Sequence, residues 1–156
     1  RTIETARQMG ATVESLEEGI RVSMRGRPHP IRLETGPYPE FPTDMQSVMM
    51  AAASIADGTS RIQENVFENR FCAAKELQKL GAHIIIENKL AVVDGVNALK
   101  GTRMAAEDLR GGAALAVAAL AADGTSFLDG YEHISRGYED IRSDLAGVGA
   151  RISLIG

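Results

Sequence analysis

A five-residue sequence occurs twice in this 156-residue chain, and the segments around the two copies follow one another in the same order. Ala56-Asp57-Gly58-Thr59-Ser60 recurs unchanged as Ala122-Asp123-Gly124-Thr125-Ser126. Each copy follows an apolar segment with helical character and leads into a short alternating segment typical of a strand. Repetition at this spacing indicates that one supersecondary unit is used more than once and that neighbouring units share a core.

Five helices are predicted, two from long apolar segments and three from the Gly-Ala pairs at which they end. Apolar patterning predicts long helices over 45–56 and 109–122. Three further helices each stop at a Gly-Ala pair, because glycine takes the left-handed conformation that ends a helix at little cost. These three helices are predicted over 2–9, 71–80 and 137–148.

Short apolar and β-branched segments predict the strands, and two polar turns predict hairpins at 17–19 and 87–90. The resulting order is β-α-β-α-β-β, which places the chain in the α/β (α+β) class, with two units over approximately 11–80 and 81–150. Because the chain starts in a helix and stops in a predicted strand, we expect a piece of a longer protein whose other segments cover its open flanks. Strands are predicted at 20–24, 61–64, 83–87, 91–93, 127–129 and 151–155.

Composition excludes several classes of protein. The net charge is −4 and Lys and Arg are not clustered, so binding to nucleic acid is not expected. The most apolar run, 113–122, is far shorter than the roughly 20 residues that span a bilayer, so no membrane association is expected. Cys72 is the only cysteine and the three histidines lack metal-ligand spacing, so we expect no metal site. A single cysteine and the lack of a signal-peptide pattern favour the cytoplasm.

The repeat places an Asp at the start of each long helix and an Arg at the start of each short one. Equivalent positions of packed repeats converge, so these side chains could line one cleft and bind a small anion through paired hydrogen bonds. Equally, the aspartates could be helix caps that pair with Arg70 and Arg136. Arg70 lies between Phe67 and Phe71, an apolar setting in which its charge needs a partner or a ligand. The full set is Asp44, Asp108, Arg70, Arg110 and Arg136.

Several longer segments together resemble one enzyme family. They are Pro37-Tyr38-Pro39, the segment 41–46 (FPTDMQ), the segment 64–71 (ENVFENRF), the segment 107–110 (EDLR) and the segment 133–139 (HISRGYE). In this order they resemble UDP-N-acetylglucosamine enolpyruvyl transferases, the 1-carboxyvinyltransferases of bacterial peptidoglycan synthesis. The resemblance covers the whole chain and implies the later part of the second domain of an inside-out α/β barrel, in which helices lie in the middle.

The resemblance also implies an activity and a set of site residues. The family transfers the enolpyruvyl group of phosphoenolpyruvate to the 3-hydroxyl of UDP-N-acetylglucosamine and releases phosphate, without a metal or organic cofactor. Asp44 matches the carboxylate proposed to take the hydroxyl proton, and Val66 with Phe67 matches a segment that contacts the sugar nucleotide largely through backbone atoms. Asp44 and Arg136 are the predicted catalytic residues, and the predicted substrate-binding residues are Asp44, Val66, Phe67, Arg70, Asp108, Arg110 and Arg136.

Two alternatives remain open from the sequence. A sister enzyme that makes enolpyruvyl-shikimate phosphate shares the architecture, and a non-catalytic binding or scaffold module would need no chemistry at all. The family's Lys-Asn pair and its loop with a reactive cysteine belong to N-terminal segments not matched here, so the chain alone is expected to be inactive. Glu40 and Ser135 depart from the family pattern at two positions next to the matched motifs.

Overall fold

The computed structural model describes residues 1–155 and shows helices and strands in the predicted alternation. Within these residues the helices are α1 (Thr2–Gln8), α2 (Gln46–Ala53), α3 (Ala73–Lys79), α4 (Leu109–Ala121), α5 (Tyr131–Ser135) and α6 (Ile141–Gly147). The strands are β1 (Thr12–Leu16), β2 (Gly19–Ser23), β3 (Arg32–Glu34), β4 (Thr59–Gln63), β5 (His83–Glu87), β6 (Leu90–Asp94), β7 (Leu99–Lys100), β8 (Arg103–Ala105), β9 (Ala122–Asp123) and β10 (Phe127–Asp129).

The largest sheet has four strands in the order β3-β4-β6-β5. Strands β3 and β4 are parallel, with Leu33 opposite Ile62, whereas β6 runs antiparallel to both β4 and β5. Three smaller sheets pair β1 with β2 antiparallel, and β8 with β10 and β7 with β9 in parallel. The sequence β3-α2-β4-α3-β5-β6 therefore contains the predicted β-α-β-α-β-β order, while the division into units at 11–80 and 81–150 stays a prediction.

The three helix ends that were predicted from Gly-Ala pairs are all present. Gly10, Gly81 and Gly149 follow α1, α3 and α6 and have φ angles of +97°, +93° and +98°, which an L side chain adopts only with strain. Both predicted hairpins are also confirmed, since β1 pairs with β2 and β5 pairs with β6 across two-residue turns. One hairpin follows α1 and the other follows α3, and in each the second strand pairs with the first.

The two long helices form the interior of the molecule. Helices α2 and α4 pack side by side, and most of their side chains are buried. Strands β4 and β6 pack one face on α2 and leave the other more exposed, as the alternation of Ser60 and Ile62 with Arg61 shows in β4. The core consists mainly of Ala, Leu, Ile, Val and Met. None of the helices in residues 1–155 has both the length and the apolar character needed to cross a bilayer.

The repeated five-residue segments lie against a glycine in both copies. A Cβ atom at Gly95 would overlap the main chain of Ala56, and one at Gly101 would overlap the main chain of Thr125. The Gly95 N–H donates to the Gly58 carbonyl at 3.1 Å, and the Gly101 N–H donates to the Asp123 carbonyl at 2.7 Å. At each repeat copy, the main chain of a second segment, at Gly95 or at Gly101, therefore lies in direct contact with the main chain of the copy.

Two predicted elements differ from the structure. The helix expected over 137–148 begins only at Ile141, as α6, because Asp140 caps it through the Ser143 N–H. Before it lies α5, which was not predicted and which closes where the N–H groups of Gly137 and Tyr138 donate to the Ile134 carbonyl. The strand expected over 151–155 is not formed, since no described strand pairs with this segment. Apolar residues without a neighbouring strand to complete their backbone hydrogen bonds do not make a strand.

Candidate functional site

A cleft of about 590 Å³ lies between the proline-rich loop and the segment that follows β4. The loop over 36–42 forms one wall, and the N-terminal turn of α2 forms the floor. Thr43, Asp44, Val66, Phe67 and Arg110 line the cleft. Four of the seven predicted site residues therefore lie on one cavity: Asp44, Val66, Phe67 and Arg110.

Backbone contacts join the two ends of the proline-rich loop. The Gly36 N–H donates to the Phe41 carbonyl at 3.1 Å, and Thr35 forms a parallel bridge with Phe41. Pro42 has extended geometry, with φ −69° and ψ 127°, and a single 3-10 turn over Thr43–Met45 then leads into α2.

Asp44 is held by two guanidinium groups rather than by backbone N–H groups. Its Oδ1 atom lies 2.9 Å from Nη2 of Arg70 and 2.5 Å from Nε of Arg110, and no cap hydrogen bond from its side chain is formed. The hydrogen bond from Arg110 lowers the pKa of Asp44 and raises the pKa of Arg110. The Asp44 side chain remains 59% exposed, so the ion-paired carboxylate faces the cleft. The capping alternative is wrong for Asp44.

Asp108 is the helix cap that the sequence allowed as an alternative. Its Oδ1 atom accepts hydrogen bonds of 2.9 Å from the N–H groups of Arg110 and Gly111, which opens α4. Arg136 lies at the C-terminal end of α5, and the adjoining Gly137 packs against Leu109 at the start of α4. Within the described residues Arg136 makes no ion pair with Asp108 or Asp44, so the predicted Asp108–Arg136 pair is wrong.

Arg70 has the partly apolar setting that was predicted. Its side chain is only 17% exposed, and its guanidinium carbon lies 4.5 Å from the centre of the Phe67 ring, a cation–π contact. Its Nε–H donates to Oγ1 of Thr43 at 3.3 Å, in addition to the Asp44 ion pair. Arg70 therefore connects the segment after β4 to the first turn of α2.

Sequence analysis missed the residue that organises this side of the cleft, Glu64. It is 1% exposed, and its Oε1 atom accepts from the N–H groups of Val66 at 2.8 Å and Phe67 at 3.0 Å. Because both N–H groups are used, the carbonyl groups of Val66 and Phe67, to which no described residue donates, are the backbone groups left for a ligand. The available signal was a Glu at the exit of a strand, two residues before a predicted ligand contact.

The paired glycines at the start of α4 serve packing. A Cβ atom at Gly112 would lie 2.5 Å from Cγ1 of Ile134, so α5 can approach α4 only at a glycine. Across residues 1–155 no group of three or more His, Cys, Asp or Glu side chains is arranged to hold a metal ion.

Comparison with known proteins gives the family. The family model described as EPSP synthase (3-phosphoshikimate 1-carboxyvinyltransferase) matches residues 1–145. The chain belongs to the EPSP synthase family. Among curated members of the family, a UDP-N-acetylglucosamine 1-carboxyvinyltransferase from Anaeromyxobacter sp. (strain Fw109-5) is 51% identical over 96% of the chain, and one from Psychrobacter sp. (strain PRwf-1) is 41% identical over 95%.

Solved structures of the same family have the same fold. The enolpyruvyl transferase NikO from Streptomyces tendae matches with a TM-score of 0.86 and 30% identity, over 96% of this chain and 35% of that one. EPSP synthase from Acinetobacter baumannii matches over 99% of this chain and 36% of its own, with a TM-score of 0.67 and 19% identity, which shows the fold alone. The expected enolpyruvyl transferase fold is confirmed.

The chain spans about a third of the length of most of these relatives. It covers 36% of the Anaeromyxobacter protein, 34% of the Psychrobacter protein and 62% of a relative from Desulfofundulus thermocisternus that is 49% identical. The matched region is therefore one part of each relative, and the cleft lies within that part.

Proposed function

We propose that this chain is part of an enzyme that transfers the enolpyruvyl group of phosphoenolpyruvate to the 3-hydroxyl of UDP-N-acetylglucosamine and releases phosphate. The observation that carries the proposal is the Asp44 carboxylate, which faces the cleft while Arg70 and Arg110 hold it in place. Support also comes from relatives with that name at 41–51% identity over nearly the whole chain. The reaction would belong to peptidoglycan synthesis in the cytoplasm.

Asp44 would act as the proton acceptor of the sugar hydroxyl. A carboxylate with a lowered pKa is a weak base toward an alcohol at rest, so the proton must leave as the oxygen attacks the cationic enolpyruvyl carbon. A group outside this chain would first protonate the methylene carbon of phosphoenolpyruvate, which makes a methyl group and leaves the neighbouring carbon cationic. At that carbon a C–O bond forms, the O–H bond breaks and Asp44 takes the proton. Phosphate then leaves with the electron pair of its C–O bond, and loss of a methyl proton restores the double bond.

The arginines would bind the anionic donor. Arg110 lines the cleft directly, so its guanidinium group can offer N–H donors to phosphate or carboxylate. Arg70 pairs with Asp44 and does not line the cleft, and it is proposed as a second donor on the strength of the family resemblance. Arg136 and Asp108 are proposed members of the same substrate-binding set, on the strength of the family resemblance. The segment at Val66 and Phe67 would contact the sugar nucleotide, with the Val66 carbonyl as hydrogen-bond acceptor. No metal ion or organic cofactor enters the proposal.

The sister reaction on shikimate 3-phosphate is the second candidate, because the matching family model is described by that reaction. Sequence identity favours the sugar nucleotide, since the relatives named for it share about half of their residues with this chain and the EPSP synthase structures share 19%. A non-catalytic binding module is the third candidate, and it predicts ligand binding without phosphate release.

One pair of measurements on the full-length protein separates these candidates. Phosphate release from phosphoenolpyruvate is followed with UDP-N-acetylglucosamine or with shikimate 3-phosphate as acceptor, and binding of each acceptor is measured by calorimetry. The proposal expects turnover and binding with the sugar nucleotide alone. Turnover with shikimate 3-phosphate would transfer the assignment to the sister reaction, and binding without turnover would leave a binding module.

A further inference from the structure

The buried carboxylate of Glu64 is the centre of a hydrogen-bond network that joins both sides of the cleft. Oε1 accepts from the N–H groups of Val66 and Phe67, and Oε2 accepts from the Thr43 hydroxyl at 3.0 Å. All three partners are donors, so the ionised carboxylate satisfies them without a proton of its own. A side chain that is 1% exposed and hydrogen-bonded through both oxygens is held in one orientation.

The network continues from Thr43 to Asp44. The Thr43 hydroxyl gives its only hydrogen to Glu64, so its oxygen accepts from the Arg70 Nε–H at 3.3 Å. The same guanidinium donates through Nη2 to Asp44 at 2.9 Å. Glu64 therefore fixes the orientation of the Thr43 hydroxyl, through which the network reaches the carboxylate that faces the cleft.

Glu64 is itself anchored to the sheet. It follows directly after β4, and its N–H donates to the Lys89 carbonyl at 2.8 Å, in the turn between β5 and β6. Nearby, the Asn65 N–H donates to Oγ1 of Thr35, which is 2% exposed. Three successive N–H groups after β4 are thus held by buried side chains, so the segment at Val66 has one backbone arrangement rather than several.

The geometry points to Glu64 as a positioning residue that sets the Val66 segment and the Asp44 turn relative to each other. Resting on the proposed function, the inference is that this single carboxylate aligns the acceptor sugar with the group that takes its proton. Misplacement of reacting groups by about 1 Å can reduce rates roughly 100-fold, so loss of the alignment is a kinetic effect and not only a structural one.

The test compares Glu64→Gln with Glu68→Gln in the full-length protein. The amide at position 64 keeps its size but cannot accept from both the Val66–Phe67 side and Thr43. Glu68 is four residues away, has a 91% exposed side chain and pairs only with Lys89. We expect Glu64→Gln to raise KM for UDP-N-acetylglucosamine and lower kcat, each by about tenfold or more, and Glu68→Gln to leave both within about twofold.

A second pair of variants keeps the inference testable if Glu64→Gln folds poorly. Thr43→Val removes the hydroxyl at nearly constant volume, and Thr43→Ser retains it. Loss of kcat in the valine variant and its recovery in the serine variant would support the network. Unchanged KM and kcat in Glu64→Gln would overturn the inference, as would a fall in kcat that merely follows the fraction of folded protein with KM unchanged. Failure of the wild-type protein to use UDP-N-acetylglucosamine would instead overturn the proposed function.

Discussion

Asp44 is paired to two arginines, and its side chain nevertheless remains largely open to solvent. An exposed ion pair contributes little to stability, about 0.2 to 1 kcal/mol, because water screens both charges. The arrangement is more useful for orientation, since a carboxylate fixed by two guanidinium groups presents its free oxygen in one direction. This favours a role in chemistry over a role in folding.

Replacement of Asp44 by Asn in the full-length protein should lower kcat by about 10² to 10⁴, the usual contribution of a general base. The amide has the same shape but cannot take the hydroxyl proton. Phosphate release measures the rate, and calorimetry measures whether the sugar nucleotide still binds. A variant that keeps its rate would show that another group takes the proton.

The ion pair also predicts a pH dependence. Because Arg110 lowers the pKa of Asp44 in the folded state, the unfolded chain takes up this proton at a higher pH, near 4. The stabilisation is therefore complete above about pH 4 and is lost as the pH falls through the lower, folded value. NMR titration of the Asp44 carboxyl carbon should give a midpoint below the ordinary aspartate pKa of 3.8, and Arg110→Met should raise the midpoint toward that value. An unchanged midpoint in that variant would contradict the assigned cause.

Residue types and spacing predicted Asp44, Arg70 and Arg110 as neighbours, although Asp44 and Arg110 are distant in the sequence. The repeat made this possible, because equivalent helix starts had to lie side by side. Glu64 could not be found in the same way. Its role depends on which N–H groups turn toward it after the strand ends, and no periodicity encodes that turn.

At the scale of elements, the stability of α4 depends on its N-terminal cap and on its close packing with α5. Asp108 forms the cap through two hydrogen bonds, and Gly112 leaves the space that α5 occupies. The sequence predicted the position of α4 to within one residue at its end, because its apolar run is long and bounded by an Asp and a turn. It could not predict that α5 ends at Ser135 and α6 begins only at Ile141, because local hydrogen bonds at the helix ends determine both positions.

The cap role of Asp108 can be separated from its proposed role in substrate binding. Asp108→Ala should lower the free energy of unfolding by about 0.5 to 2 kcal/mol, whereas Asp108→Asn should largely retain it, because Asn caps helices as well as Asp does. Denaturant unfolding measures both. If the carboxylate charge also matters for substrate binding, the Asn variant will fold normally and bind substrate less well; normal binding would make Asp108 a cap alone.

The contact between α4 and α5 predicts opposite effects for the same substitution at two glycines. Gly112→Ala should destabilise the protein, because overpacking against Ile134 costs about 1 to 3 kcal/mol and exceeds the roughly 1 kcal/mol gained in helix propensity. Gly147→Ala is the matched control in α6, where no heavy atom lies within 4 Å of the added Cβ. That variant should be neutral or slightly stabilising in thermal unfolding. Equal effects at both positions would contradict the packing argument.

The molecule as a whole has open apolar faces. Leu16, Ile20 and Val22 on the β1–β2 hairpin are each about half exposed, as is Ile85 on β5. Sequence analysis predicted such flanks from the arrangement of the repeat and expected other segments of the enzyme to cover them. The chain's coverage of about a third of most relatives leaves room for those segments.

The chain alone is therefore expected to release no phosphate from phosphoenolpyruvate in the presence of UDP-N-acetylglucosamine. The groups that would protonate the enolpyruvyl carbon are expected in the remaining segments of the enzyme. Adding those segments as a separate polypeptide should restore phosphate release. Turnover by the chain alone would show that every essential group lies within it.

The backbone crossings at Gly95 and Gly101 have a consequence for how mutational surveys of this protein are interpreted. Neither glycine lines the cleft, yet any side chain at either position would collide with the main chain of the repeat copy against which that glycine lies. Both positions will tolerate no substitution and will resemble catalytic positions in a fitness map. Their intolerance records where two segments of main chain cross, and the backbone contact alone distinguishes them from residues that act on a substrate.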